Sequence, residues 1–142
     1  MERWIVAIIL LISFPAFAQD SPQYRSCSQV AKTQAEMTAC AGAEAARADA
    51  ELNQVYSKLL SEVAGQEGAG AKIKASELAW IRYRDAYMDA MYPAKDKQEE
   101  YGSVYPMEAD LLRAKLTRRQ LMALRELLQQ HNGDDHSNAG EP

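Results

Sequence analysis

Residues 33–64, TQAEMTACAGAEAARADAELNQVYSKLLSEVA, decide the fold. Thr33 with Glu36 three positions on is a capping box. The hydroxyl can accept from the Glu36 amide, and the carboxylate can reach back to the start of the helix. From there to Ala64 the chain has no proline and a single glycine, Gly42. Ala45, Ala48, Leu52, Val55, Leu59 and the Glu62/Val63 step recur at spacings of three and four, which is one face of an amphipathic helix. At about 1.5 Å per residue the helix is roughly 45 Å long.

Working outward, GQEGAG at 65–70 breaks this helix. A second helix is expected from about Ala71 to Met91, ended by Pro93. Tyr92 to Val104 reads as a loop of mixed charge. Pro106 fits the first turn of a third helix, where its missing amide costs no hydrogen bond. Leu112, Leu116, Leu121, Leu124 and Leu128 carry that helix to about Gln130. Residues 132–142 are polar and glycine-bearing, and a disordered tail is expected there. Upstream, Ser26 to Lys32 should form a turn or short helix folded back so that Cys27 meets Cys40. The expectation is an all-α domain over residues 19–131: an antiparallel bundle of three main helices with a long first helix and one disulfide.

Residues 1–18 read as a signal peptide. Arg3 precedes an apolar run from Trp4 to Phe14, and Ala16-Phe17-Ala18 is an A-x-A cleavage signal. The run is too short for a stable membrane anchor. Cleavage before Gln19 would send the chain to the periplasm or outside the cell, where disulfides form. Cys27 and Cys40 are an even count and lack C-x-x-C spacing, which favours a structural bond over a redox or metal pair. The net charge of −4 suits a basic partner and gives no case for nucleic acid. The basic run Arg113, Lys115, Arg118, Arg119, Arg125 faces an opposite use: Glu36, Glu44, Asp49, Glu51 and Glu62 on the first helix can complement it.

Residues 79–86, AWIRYRDA, place Trp80, Tyr83, Arg84 and Tyr87 along one helical face, with Met91 continuing it. Arg84 can lie over the Trp80 ring and needs an acid, for which Glu36, Glu44 and Asp49 are candidates. Arg82 can pair with Asp85 at the solvent face. An aromatic stripe at helical spacing is more often core than active site. His131 and His136 both sit in the tail, so neither a nucleophile–histidine pair nor a preformed metal site is expected, and no cofactor is implied. The loop AKDKQEEYGSVYP is the best surface for a partner: Tyr101 and Tyr105 flank Gly102 and Ser103. The competing reading packs both tyrosines back on the bundle.

These pieces together resemble the LprI-type lysozyme-inhibitor domain family of small exported helical proteins. The resemblance rests on Cys27; TQAEMTAC ending at Cys40; ADAELNQVYSKLL; AWIRYRDA; GSVYPM; and LTRRQ from Leu116, in the family's order over nearly the whole chain after residue 18. It marks Trp80, Tyr83, Arg84, Asp85, Pro106 and Thr117 as a structural signature. Many members carry a second cysteine pair, and the corresponding places hold approximately Met88 and Leu112, where apolar packing can fill the space. Gln120 stands where the family's threonine-to-arginine spacing would place an arginine. The resemblance implies a non-enzymatic binding protein that occludes a basic lysozyme's cleft, with Tyr101, Ser103 and Tyr105 as contacts. The alternative is a periplasmic structural or adaptor module that binds another envelope protein or itself as a homo-oligomer.

Overall fold

Thr33 caps one unbroken helix. The computed structural model describes residues 20–137, with side chains placed through Asn132. The expected leader, its cleavage point and the last residues of the expected tail lie outside the described residues. Within them the order is α1 (Pro22–Val30), α2 (Gln34–Glu62), α3 (Ala69–Met91), α4 (Lys97–Tyr101) and α5 (Tyr105–Ser137), with no strand. None of these helices is long and apolar enough to cross a membrane. The capping box forms as read: Thr33 Oγ1 accepts from the Glu36 amide, and the Glu36 carboxylate accepts from the Thr33 amide at 3.0 Å.

Four boundaries differ from the sequence expectation. α1 begins at Pro22 because Ser21 caps it, accepting from the Tyr24 amide at 3.0 Å, and proline is pre-set for a first turn. α3 begins at Ala69, since Gly68 turns the chain with φ 73°, a conformation that favours glycine. The 92–104 segment contains α4, capped by Asp96. α5 continues past Gln130 to Ser137.

The helices alternate in direction, so α2 and α5 run parallel. Gln34 meets Met107, Asp49 meets Thr117 and Glu51 meets Arg125, with both numbers rising together. α3 returns between these ends, with Glu77 opposite Gln120 and Ala69 against the cluster that contains Leu128. The closest helix pairing is α2 with α5. Its middle is made of alanines: Ala45, Ala48 and Ala114 form one buried group. At one end Leu52, Leu59, Val63, Ile73, Leu121, Leu124 and Leu128 form the main apolar cluster. At the other, Tyr24, Cys40 and Ala41 pack with Cys27, Met107 and Leu111. The Cys27–Cys40 disulfide, Cα–Cα 5.7 Å, ties α1 to α2 at that end.

Between the two ends lies a buried carboxylate. Glu44 is fully buried. It accepts from the Ser21 hydroxyl at 2.6 Å and the Ser21 amide at 3.1 Å, from Arg47 at 2.7 Å, and from Arg118. One side chain on α2 thus joins the start of α1 to α5. Burial alone would raise the Glu44 pKa. The bonds from Ser21, Arg118 and Arg47 outweigh it and hold the carboxyl at about 2.

Two stability predictions follow from this geometry. An unfolded glutamate ionises near 4.5 and the folded Glu44 near 2, so its contribution is complete above pH 4.5 and is lost as pH falls towards 2. It amounts to something on the order of 3 kcal/mol. Melting temperatures measured from pH 6 to pH 2 should therefore fall steeply below about pH 4.5. Glu44→Gln should be less stable at neutral pH and show a flatter acid limb; an unchanged limb would remove Glu44 from the account. Reduction of Cys27–Cys40, separated by 13 residues in sequence, should cost about 3 kcal/mol by releasing the unfolded chain. An unchanged denaturant midpoint after confirmed reduction would contradict this.

Candidate functional site

The segment joining α3 to α5 is held by its own aromatic rings. Asp96 Oδ1 accepts from the Glu99 amide at 2.9 Å and starts α4. Lys97 Nζ donates to the Tyr92 carbonyl at 2.8 Å and closes the bend. The Ala94 amide donates to the Tyr101 hydroxyl at 3.1 Å. Gly102, at φ 74°, ends α4 and releases the chain towards α5. Tyr92 then meets Tyr101 edge-on at 5.3 Å and Tyr105 at 5.0 Å, while Tyr101 and Tyr105 lie 6.0 Å apart. Such pairs are worth about 0.5–1.5 kcal/mol each beyond their buried area. Burial, with Glu108 and the other two phenols nearby, pushes the Tyr92 pKa up.

The three rings are half-buried, whereas Gly102, Ser103 and Val104 at the tip are exposed. Tyr101 and Tyr105 therefore serve first as the clasp that shapes the loop. Ser103 is the member of the predicted contact set that is open to solvent. Pro106 sits half-buried at the start of α5, directly after the clasp.

On α3 the Arg84 guanidinium lies over Trp80, 5.2 Å from the ring centroid. Its acid is a correction to the expected set. Neither Glu36, Glu44 nor Asp49 pairs with it; Arg84 Nε and Nη2 both donate to Asp85 Oδ1, at 2.9 and 2.8 Å. Asp85 is thus taken by its immediate neighbour, not by Arg82, which is exposed. The three candidate acids have other work: Glu36 closes the capping box, Glu44 forms the buried hub, and Asp49 accepts from the Thr117 hydroxyl at 3.1 Å. Tyr83 is 55% exposed and leans on Tyr87, with centroids 5.9 Å apart. Trp80 packs against the edge of the main apolar cluster. Gln120 donates to Glu77 at 2.8 Å, joining α5 to α3 with a neutral donor where an arginine was considered. Met88 and Leu112 are both half-buried and outside the buried clusters.

The sequence reading set Glu44 among the acids that complement the basic third helix, as its pair with Arg118 bears out, but missed its burial and its bonds to Ser21 and Arg47. A signal was present: position 44 falls on the same helical stripe as Ala41, Ala45, Ala48 and Leu52, so a lone carboxylate there had to be buried.

A family model described as lysozyme inhibitor LprI matches residues 26–124. The chain belongs to the LprI family. The matched span opens beside Cys27 and closes at Leu124, so it takes in the disulfide, Glu44 with its two arginines, the Trp80–Arg84 pair and the tyrosine clasp, while Ser21 lies before it. An uncharacterized protein of Rhizobium meliloti (strain 1021) is 31% identical over 137 residues, covering 87% of this chain and 92% of its own length. No solved structure matches the chain.

The clasp makes its own prediction. Tyr101→Phe keeps the ring and removes the acceptor for the Ala94 amide, and should cost about 1 kcal/mol. Tyr101→Ala also loses ring packing and should cost roughly two to three times as much. Urea midpoints at constant slope measure both; equal costs would mean that the rings contribute nothing.

Proposed function

We propose that this chain is an exported, non-enzymatic binding protein that inhibits a lysozyme by covering its substrate cleft. Membership of the LprI family carries this reading. The tip Gly102-Ser103-Val104 is the part of the loop that enters the cleft, and the Tyr92–Tyr101–Tyr105 clasp holds it in shape beforehand. A loop ordered before binding loses less entropy on contact. Residues 1–18 act as the leader, and their removal takes one acid and one base, leaving the net charge at −4. That sign steers the protein to a basic enzyme. The absence of histidine before His131 fits a role in binding rather than acid–base turnover.

A second reading draws on α3, which leaves Leu78 59%, Tyr83 55% and Met91 50% exposed. An envelope adaptor, or a second copy of this chain, would use the side that carries Tyr83 and Met91; Leu78 lies about 140° from each around the helix.

Inhibition of cell-wall lysis and calorimetric binding, measured against several lysozyme classes, test the first reading. Binding should be saturable and should weaken with added salt, since exposed charges are screened beyond about 8 Å at physiological ionic strength. Ser103→Arg should weaken inhibition by about tenfold or more without moving the melting temperature, as a buried mismatched charge costs at least about 1.4 kcal/mol. The Tyr101→Ala/Tyr105→Ala pair should abolish inhibition. Full potency of Ser103→Arg would remove the loop from the mechanism. A lack of binding to every class would replace inhibition with the adaptor reading.

A further inference from the structure

Between α2 and α3 lies a cleft of about 460 Å³, within the usual range of roughly 300–1,000 Å³ for sites that enclose a ligand group. Leu52, Tyr56, Trp80 and Ile81 give it apolar and aromatic walls, and Asp49 and Glu77 place two carboxylates in the same space. Glu77 is only 8% exposed. One of its oxygens accepts from the Gln120 amide, and Asp49 accepts from the Thr117 hydroxyl. Both donors are neutral. Among the described residues neither carboxylate takes part in an ion pair.

Two cations also border the cleft. Arg84 is engaged by Asp85 and by the Trp80 ring, and Lys74 is solvent-exposed. Arg84 is thus already engaged, and Lys74, though on the lining, forms an ion pair with neither carboxylate. Carboxylates set among apolar walls without a cation are costly, and the cost is relieved when a cation arrives with hydrogen bonds to give. Glu44, nearer α1 on the same helix as Asp49, shows the satisfied form: two arginines and a serine on one carboxylate. The cleft presents the same chemistry with the arginine missing and with aromatic faces added. Aromatic walls favour a flat guanidinium, which stacks on rings and forks onto carboxylates, over a compact, strongly hydrated ammonium.

We propose that the α2–α3 cleft takes an arginine side chain presented by a partner polypeptide, held between Tyr56 and Trp80 and bonded to Asp49 and Glu77. The site is separate from the Ser103 loop and does not rest on the lysozyme reading.

Trp80 reports on the cleft directly. The chain has two tryptophans, Trp4 and Trp80, so in the full chain carrying Trp4→Phe the fluorescence comes from Trp80 alone. The probe is a short glycine–serine peptide with two arginines, compared with the same peptide carrying citrulline, the neutral isostere, at both places. A saturable change with the arginine peptide is expected, weakened by about tenfold or more with citrulline, as for loss of a charged hydrogen-bonded partner. Glu77→Gln, which can still accept from Gln120, and Asp49→Asn should each weaken binding similarly while melting as the parent does. Should Glu77→Gln fail to fold, Asp49→Asn carries the comparison. Equal response to citrulline, indifference to both substitutions, or no response at millimolar peptide would each overturn the proposal. So would a concentration-dependent Trp80 change without peptide that tracks dimer formation in sedimentation, which would assign the cleft to a second copy.

Discussion

A carboxylate with no access to water organises this bundle. Glu44 stands in the middle of an alanine-lined contact between α2 and α5, where a charge is tolerated only if its oxygens are fully bonded. Ser21 supplies two donors and must therefore sit at the head of α1; Arg118 supplies another and sets the register of α5 against α2. Apolar packing alone would allow neighbouring registers of such small side chains, since alanines differ little from one another as knobs or holes. The ionic hub distinguishes them. Thr117 bonded to Asp49, one step along, reinforces the same register. Removing one donor would leave the buried carboxylate short of a bond that water cannot replace, which is why such a hub is stringent even where its net contribution is modest.

The large features were legible because they are local. The Thr33–Glu36 capping box, the run of threes and fours through Leu59, and the breaker around Gly68 each announce themselves within a few residues, and the alternating bundle and the disulfide follow. What was not legible is non-local. Arg84 was assigned an acid on the first helix because a guanidinium on an aromatic face needs one, yet an adjacent aspartate satisfied it. Glu44 was read as an acid that could meet the basic third helix, which Arg118 bears out, but its place on the alanine stripe, which made it interior, was not read. The start of α1 was set too late because Ser21-Pro22, a cap followed by a first-turn proline, was not given its weight. Of the loop residues, the sequence named Tyr101, Ser103 and Tyr105 together as contacts and offered the packing of both tyrosines as the competing reading, and the half-buried rings follow the latter.

AWIRYRDA also divides once it is placed. Trp80 leans on the apolar core and carries Arg84, which also donates to Asp85. Tyr83 turns outward. The stretch is therefore not simple core. It forms the wall of a cleft on one face and an exposed aromatic surface on the other.

α3 is anchored unevenly, and this bears on both candidate surfaces. Ile73 and Glu77 are its buried residues; from Leu78 to Met91 none is fully buried. Met88 on this half and Leu112 on α5 are both only half-buried. Segments with few buried contacts are the ones that open at least cost. The weakly held half of α3 carries Trp80 and Arg84 at one end and continues through Tyr92 into the tyrosine clasp at the other. Both candidate surfaces therefore share the least buried stretch of one helix.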